Sequence, residues 1–197
     1  MIDVEKFIRN RSLEIGNIFT NIANNGLTKK SQRKMIFTYE LDVNKFDDRF
    51  ANTINITENS DFSEMFTELK EHENYPALYF FSINKEITYS DIITQIEDVK
   101  LKLNKVTPVT NKYKDNLGIL YIGKVKKYAW GRLIQHLGYH KNRKSHGLQL
   151  GYWDRKTLLD LNLTFTVMFF DEDIREYIQV LEKELAEKLK PLIGKHN

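Results

Sequence analysis

Residues 117–139 constrain this chain more than any other stretch. An apolar run through Tyr121-Ile122-Gly123 reads as a strand, and the spacing of Trp130, Leu133, Ile134 and Leu137 predicts a helix with one apolar face over 128–139. Arg132 and His136, four residues apart, then project together from another face. Such a pair can share one phosphate: a fixed guanidinium neutralises a phosphoryl oxygen, and an imidazole relays a proton or orients a hydroxyl. On spacing alone such a pair is more often a solvated surface pair.

The charge around this stretch is concentrated. The whole chain carries only +3, yet from Tyr121 to Lys156 nine cations face Asp154 alone, a segment charge of +8. Lys124, Lys126, Lys127, Lys141, Arg143 and Lys144 are interleaved with Tyr128, Trp130, Tyr139, Tyr152 and Trp153. Phosphate-pairing charges mixed with stacking surfaces suit a nucleic-acid partner, and on this evidence alone a solvated basic face fits equally well. The absence of cysteine excludes disulfides, thiolate zinc sites and a cysteine nucleophile, and it agrees with a reducing cytoplasm, the expected location. No segment approaches the ~18 apolar residues of a membrane span, so no membrane partner is expected.

Along the chain, the pattern alternates helices and strands. Residues 2–24 read as an amphipathic helix ended by Asn24-Asn25-Gly26, 35–41 as a strand and 61–70 as a helix. We read 1–74 as an N-terminal α+β region, a candidate for substrate recognition. No Gly/Ser-rich or Pro-rich linker follows it, so it should pack against the rest. A buried strand is predicted at 77–83, a helix N-capped by Ser90 at 90–103, strands at 117–125 and 163–170, and loop-like chain at 104–116. The closing helix should start near Asp171, with Asp173 and Glu176 as a capping box, and run to Pro191. Glu182 and Glu184 lie at opposite edges of its apolar stripe. A carboxylate there can hold Mg²⁺, and helical spacing does not choose between the two.

The ordered set Ala77-Leu78-Tyr79, Tyr121-Ile122-Gly123, Arg132, His136 and the run Leu181-Glu182-Lys183 to Pro191 resembles the GIY-YIG nuclease family over residues 75–197. Ala77-Leu78-Tyr79 stands for the first tyrosine motif, and the second matches letter for letter. The resemblance implies an α+β fold with a small three-stranded antiparallel sheet flanked by helices. The tyrosines are 42 positions apart, which implies an insertion at about 84–116. It selects Glu182, nine residues before Pro191, as the ligand of Mg²⁺ or Mn²⁺. It further implies Tyr79, Tyr121, Arg132 and His136 as catalytic residues, with Gly123 and Asn197 in support.

The implied activity is hydrolysis of a DNA phosphodiester, in double-stranded or branched DNA, by an endonuclease of a restriction, repair, mobile-element or recombination system. Tyr79 or Tyr121, helped by His136, would orient or deprotonate water, Arg132 would steady the phosphate, and the metal would stabilise the leaving oxygen. Lys124, Lys126, Lys127, His140, Lys141, Arg143 and Lys144 would contact DNA. Two alternatives stand beside this one: a catalytically inactive GIY-YIG-like nucleic-acid-binding domain, and a protein-interaction module with an acidic partner. Gly118 to Lys124 also matches the first seven positions of a phosphate-binding P-loop, but Val125 replaces its Ser or Thr and the middle is an apolar strand. His136, His140 and His146 lack a zinc-binding motif. No heptad pattern demands a dimer.

Overall fold

A computed structural model of the chain describes residues 4–27, 35–46, 54–83, 89–103, 118–140, 147–153 and 162–194. Its centre is a four-stranded antiparallel sheet, one strand more than expected. The strands are β1 (Ile36–Asp42), β2 (Ala77–Ile83), β3 (Ile119–Val125) and β4 (Asn162–Phe169), in the order β1-β4-β2-β3. The added strand is β1, from the N-terminal region, paired along β4 from Ile36↔Met168 to Asp42↔Asn162. The sheet therefore runs across the boundary drawn near residue 74.

Among the described residues five α-helices cover the sheet: α1 (Val4–Asn25), α2 (Ser63–Glu71), α3 (Tyr89–Leu103), α4 (Ala129–Leu137) and α5 (Ile178–Leu189). Side chains alternate across a strand, so each strand feeds both faces. Phe37 and Leu41 of β1, Tyr79 and Phe81 of β2, and Phe165, Val167 and Phe169 of β4 bury one face against Met65, Phe66 and Leu69 of α2, Ile92, Ile96 and Val99 of α3, and Leu133 and Leu137 of α4. On the other face Leu78 and Phe170 meet Ile18 of α1 and Ile178 of α5, with Leu181 and Leu185 packed alongside. The result is three layers with the larger core on the α4 side.

Two helix starts differ from expectation. Ser90 lies inside the first turn of α3, which begins at Tyr89. The closing helix begins at Ile178, not near Asp171: Glu172–Ile174 form a separate 3-10 turn. The N-cap of that helix is therefore Tyr177, without a side-chain cap, and not Asp173; burial of Ile174 and the bond from Arg175 to the Asn74 carbonyl (2.7 Å) hold the turn apart from the helix. Glu176 pairs with Lys126 instead. Among the described residues no helix is long and apolar enough to cross a membrane. The loop expected at 104–116 lies outside the described residues.

Candidate active site

Strand pairing builds the site. Tyr79 of β2 sits opposite Gly123 of β3, and Phe81 sits opposite Tyr121, so three aromatic rings share the face that α4 covers. Gly123 is needed for close approach. A Cβ there would lie 2.4 Å from the Tyr79 hydroxyl oxygen and 2.5 Å from its Cζ, which places the phenol directly over the Gly123 backbone. Gly123→Val is therefore expected to destabilise the fold by about 1–3 kcal/mol through overpacking, read as a lower urea midpoint with unchanged slope.

From α4, Arg132 and His136 converge on the same phenol. The Arg132 Nε–H donates to the Tyr79 hydroxyl oxygen at 3.1 Å, a second guanidinium nitrogen reaches the Tyr121 hydroxyl at 3.5 Å, and the third donates to the Gln135 side-chain carbonyl. The His136 Nε2 lies 3.1 Å from the Tyr79 oxygen. Its other ring nitrogen, Nδ1, accepts the backbone N–H of Leu148 at 3.3 Å. That bond fixes the tautomer: a neutral imidazole accepting at Nδ1 carries its hydrogen on Nε2, so His136 donates to Tyr79. Tyr79 thus accepts from two donors, and its own hydrogen is left for a third direction.

The Leu148 amide is itself held in place. Its carbonyl accepts the indole N–H of buried Trp153 at 2.8 Å. Gly147 passes so close to α4 that a Cβ would lie 2.1 Å from the Gln135 carbonyl oxygen.

Burial separates these side chains into two ranks. His136 is 0% exposed and Tyr79 2%, whereas Tyr121 and Arg132 are half-buried. His136 does project with Arg132 to the same phenol, but it is buried where an exposed face was expected: its ring lies among those of Tyr79, Phe81 and Tyr121, at centroid distances of 5.5, 5.1 and 4.7 Å. The sheet encloses it on one side and the 147–153 segment on the other. Burial, with Arg132 adding to it, drives the His136 pKa well below the ordinary 6.5, so the ring stays neutral. Burial also raises the Tyr79 pKa well above 10, reinforced by Tyr121 and opposed by Arg132.

Glu182 stands elsewhere. Leu78 is paired with Lys124, so Lys124 points to the α5 face, opposite the Tyr79 cluster, and there its ammonium pairs with the Glu182 carboxylate. Gly123 and Lys124 are consecutive on the edge strand, so the two groups lie back to back across β3 and are not joined by a described hydrogen bond. Glu182 is half-buried, while Glu184 is exposed at the rim of an apolar groove of about 600 Å³ lined by Ile22, Leu78, Met168, Phe170 and Leu185. The structure thus separates the two glutamates that spacing could not. Among the described residues no group of three or more His, Asp or Glu side chains gathers as a metal cluster. The single carboxylate is still a fitting hard-oxygen donor, and the Lys124 ammonium shows that a cation is accommodated there.

Of the basic residues, Lys127 is exposed, exposed Lys126 pairs with Glu176, and His140 is half-buried just beyond α4. Lys141, Arg143, Lys144 and Asn197 lie outside the described residues. Sequence reading missed Gln135, Phe81 and the Leu148 amide. Gln135 was accessible through its i+3 spacing from Arg132; the amide contact leaves no trace in residue types.

Comparison with protein-family models, with curated proteins and with solved structures found no match.

Proposed function

We propose that the chain is a metal-dependent DNA endonuclease of the GIY-YIG type. The observation that carries this reading is the convergence of Arg132 and His136 on the Tyr79 hydroxyl, with Arg132 also reaching Tyr121. Four polar side chains from two strands and one helix are brought to one place.

In this reading the partly exposed groups meet the DNA and the buried ones hold them. Arg132 keeps its orientation through Tyr79 and Gln135, and its 3.5 Å contact to Tyr121 is the one a nonbridging phosphate oxygen replaces. Charge developing on that oxygen strengthens the bond in the transition state. The Tyr121 hydroxyl orients the attacking water. Tyr79 is a poor base at neutral pH because its pKa is raised, and His136 cannot take its proton while Nδ1 is bonded to Leu148. Both act by positioning.

Glu182 is the residue that would hold Mg²⁺ or Mn²⁺, which when bound supplies Lewis-acid stabilisation and a more acidic water. Lys126 and Lys127 provide exposed cations for DNA phosphates.

The test is cleavage of supercoiled plasmid and a panel of branched DNAs with Mg²⁺ or Mn²⁺, comparing the native chain with Glu182→Ala. Metal-dependent nicking that falls on the order of 10²-fold or more in the variant is expected. The second reading, a noncatalytic DNA-binding domain, is favoured by the engagement of Glu182 with Lys124 across the sheet from Tyr79. Salt-sensitive binding by both proteins with no cutting by either would select it.

A further inference from the structure

Glu182 already has a cation. Lys124 and Glu182 have side chains only 29% and 14% exposed, and each would lose hydration without a partner. Their contact ties the edge strand β3 to α5 between residues 58 positions apart. Among the described residues, Lys124 is the partner the structure gives the Glu182 carboxylate. A divalent ion approaching that oxygen meets an occupied position, and its net affinity is reduced by whatever the ammonium contributes.

We propose that Lys124 is the resident counter-ion of Glu182, and that a divalent metal must displace it to bind. This rests on the nuclease reading for the identity of the metal ligand, and it assigns Lys124 a role apart from the DNA-contacting one. The metal-free chain is held together at this point by an internal cation, and loading the metal exchanges one charge pair for another. Removing the ammonium should then tighten metal binding, whereas a lysine that helps assemble the metal site would give the opposite.

The probe is Mn²⁺ alone, titrated calorimetrically and by electron paramagnetic resonance into the full chain and into Lys124→Met, which keeps the apolar stem. About tenfold tighter binding is expected for Lys124→Met. Mn²⁺ should also raise its melting temperature more than that of the native chain, because the metal relieves an unpaired half-buried carboxylate. Lys124→Arg, with a fork that grips a carboxylate through two bonds, should bind Mn²⁺ more weakly than the native chain and serves if the methionine variant does not fold. Glu182→Gln should abolish the metal-induced shift in both backgrounds.

Unchanged or weaker Mn²⁺ binding by Lys124→Met, unchanged or tighter binding by Lys124→Arg, or no Mn²⁺ binding by any variant overturns the proposal. The two readings fail separately. Tighter binding in Lys124→Met without DNA cleavage by the native chain removes the nuclease and leaves the exchange; Glu182-dependent cleavage with unaltered affinity does the reverse.

Discussion

Arg132→Ala is expected to lower the single-turnover rate of DNA cleavage on the order of 10³-fold while changing DNA affinity less than about tenfold. The guanidinium is asked for two things at once: to neutralise phosphate charge with the nitrogen that otherwise reaches Tyr121, and to hold the Tyr79 hydroxyl with another. Alanine removes both. Lysine restores a point charge but not a planar fork, and it cannot bond Tyr79, Tyr121 and Gln135 together, so Arg132→Lys should recover only a small part of the rate. Equal losses of binding and cleavage in Arg132→Ala would instead make it an ordinary DNA-contacting residue.

His136→Ala is expected to destabilise the fold by about 3–4 kcal/mol, through a cavity among Tyr79, Phe81 and Tyr121 and a buried Leu148 N–H left without an acceptor. Urea unfolding at neutral pH measures this. The cost should depend on pH in a defined direction. Folding depresses the His136 pKa, so below the unfolded value near 6.5 the unfolded chain binds a proton that the folded chain refuses. The imidazole's contribution is fully present above pH 6.5 and declines as the pH falls toward the folded-state pKa, by up to about 1.4 kcal/mol per unit. The stability gap between native chain and variant should narrow accordingly from pH 7 to pH 5.5. A gap that widens on acidification would mean that the ring is charged in the fold.

Local patterns were legible where burial is local. The dense apolar run at β2 marked a strand at 77–83 and the structure has it there, and the strand at 35–41 is β1 within a residue. What residue patterns did not reveal was that β1 joins the sheet, since its partners in β4 lie more than a hundred positions away. The helix carrying Arg132 and His136 was visible, but its periodicity identifies one apolar stripe, and α4 is covered from two sides. The second cover, the 147–153 segment, is what turns His136 from a surface residue into a buried donor with a fixed tautomer. Asp173 with Glu176 shows the opposite failure: the spacing of a cap was present, and the tertiary demands of Ile174 and Arg175 set the helix start elsewhere. Helical spacing left Glu182 and Glu184 equivalent and the family resemblance picked Glu182; that Glu182 pairs with Lys124 could not be read from spacing, because the lysine lies 58 positions away on β3.

The nuclease reading stands or falls on whether the Tyr79 cluster cuts DNA. The most direct measurement is the rate of supercoiled-plasmid nicking in Mn²⁺ by the native chain beside Arg132→Ala, with both at saturating occupancy of the DNA. Nicking by the native chain and near-complete loss in the bound variant is the predicted result. Full binding by both with no nicking by either, or nicking that survives without Arg132, would contradict it.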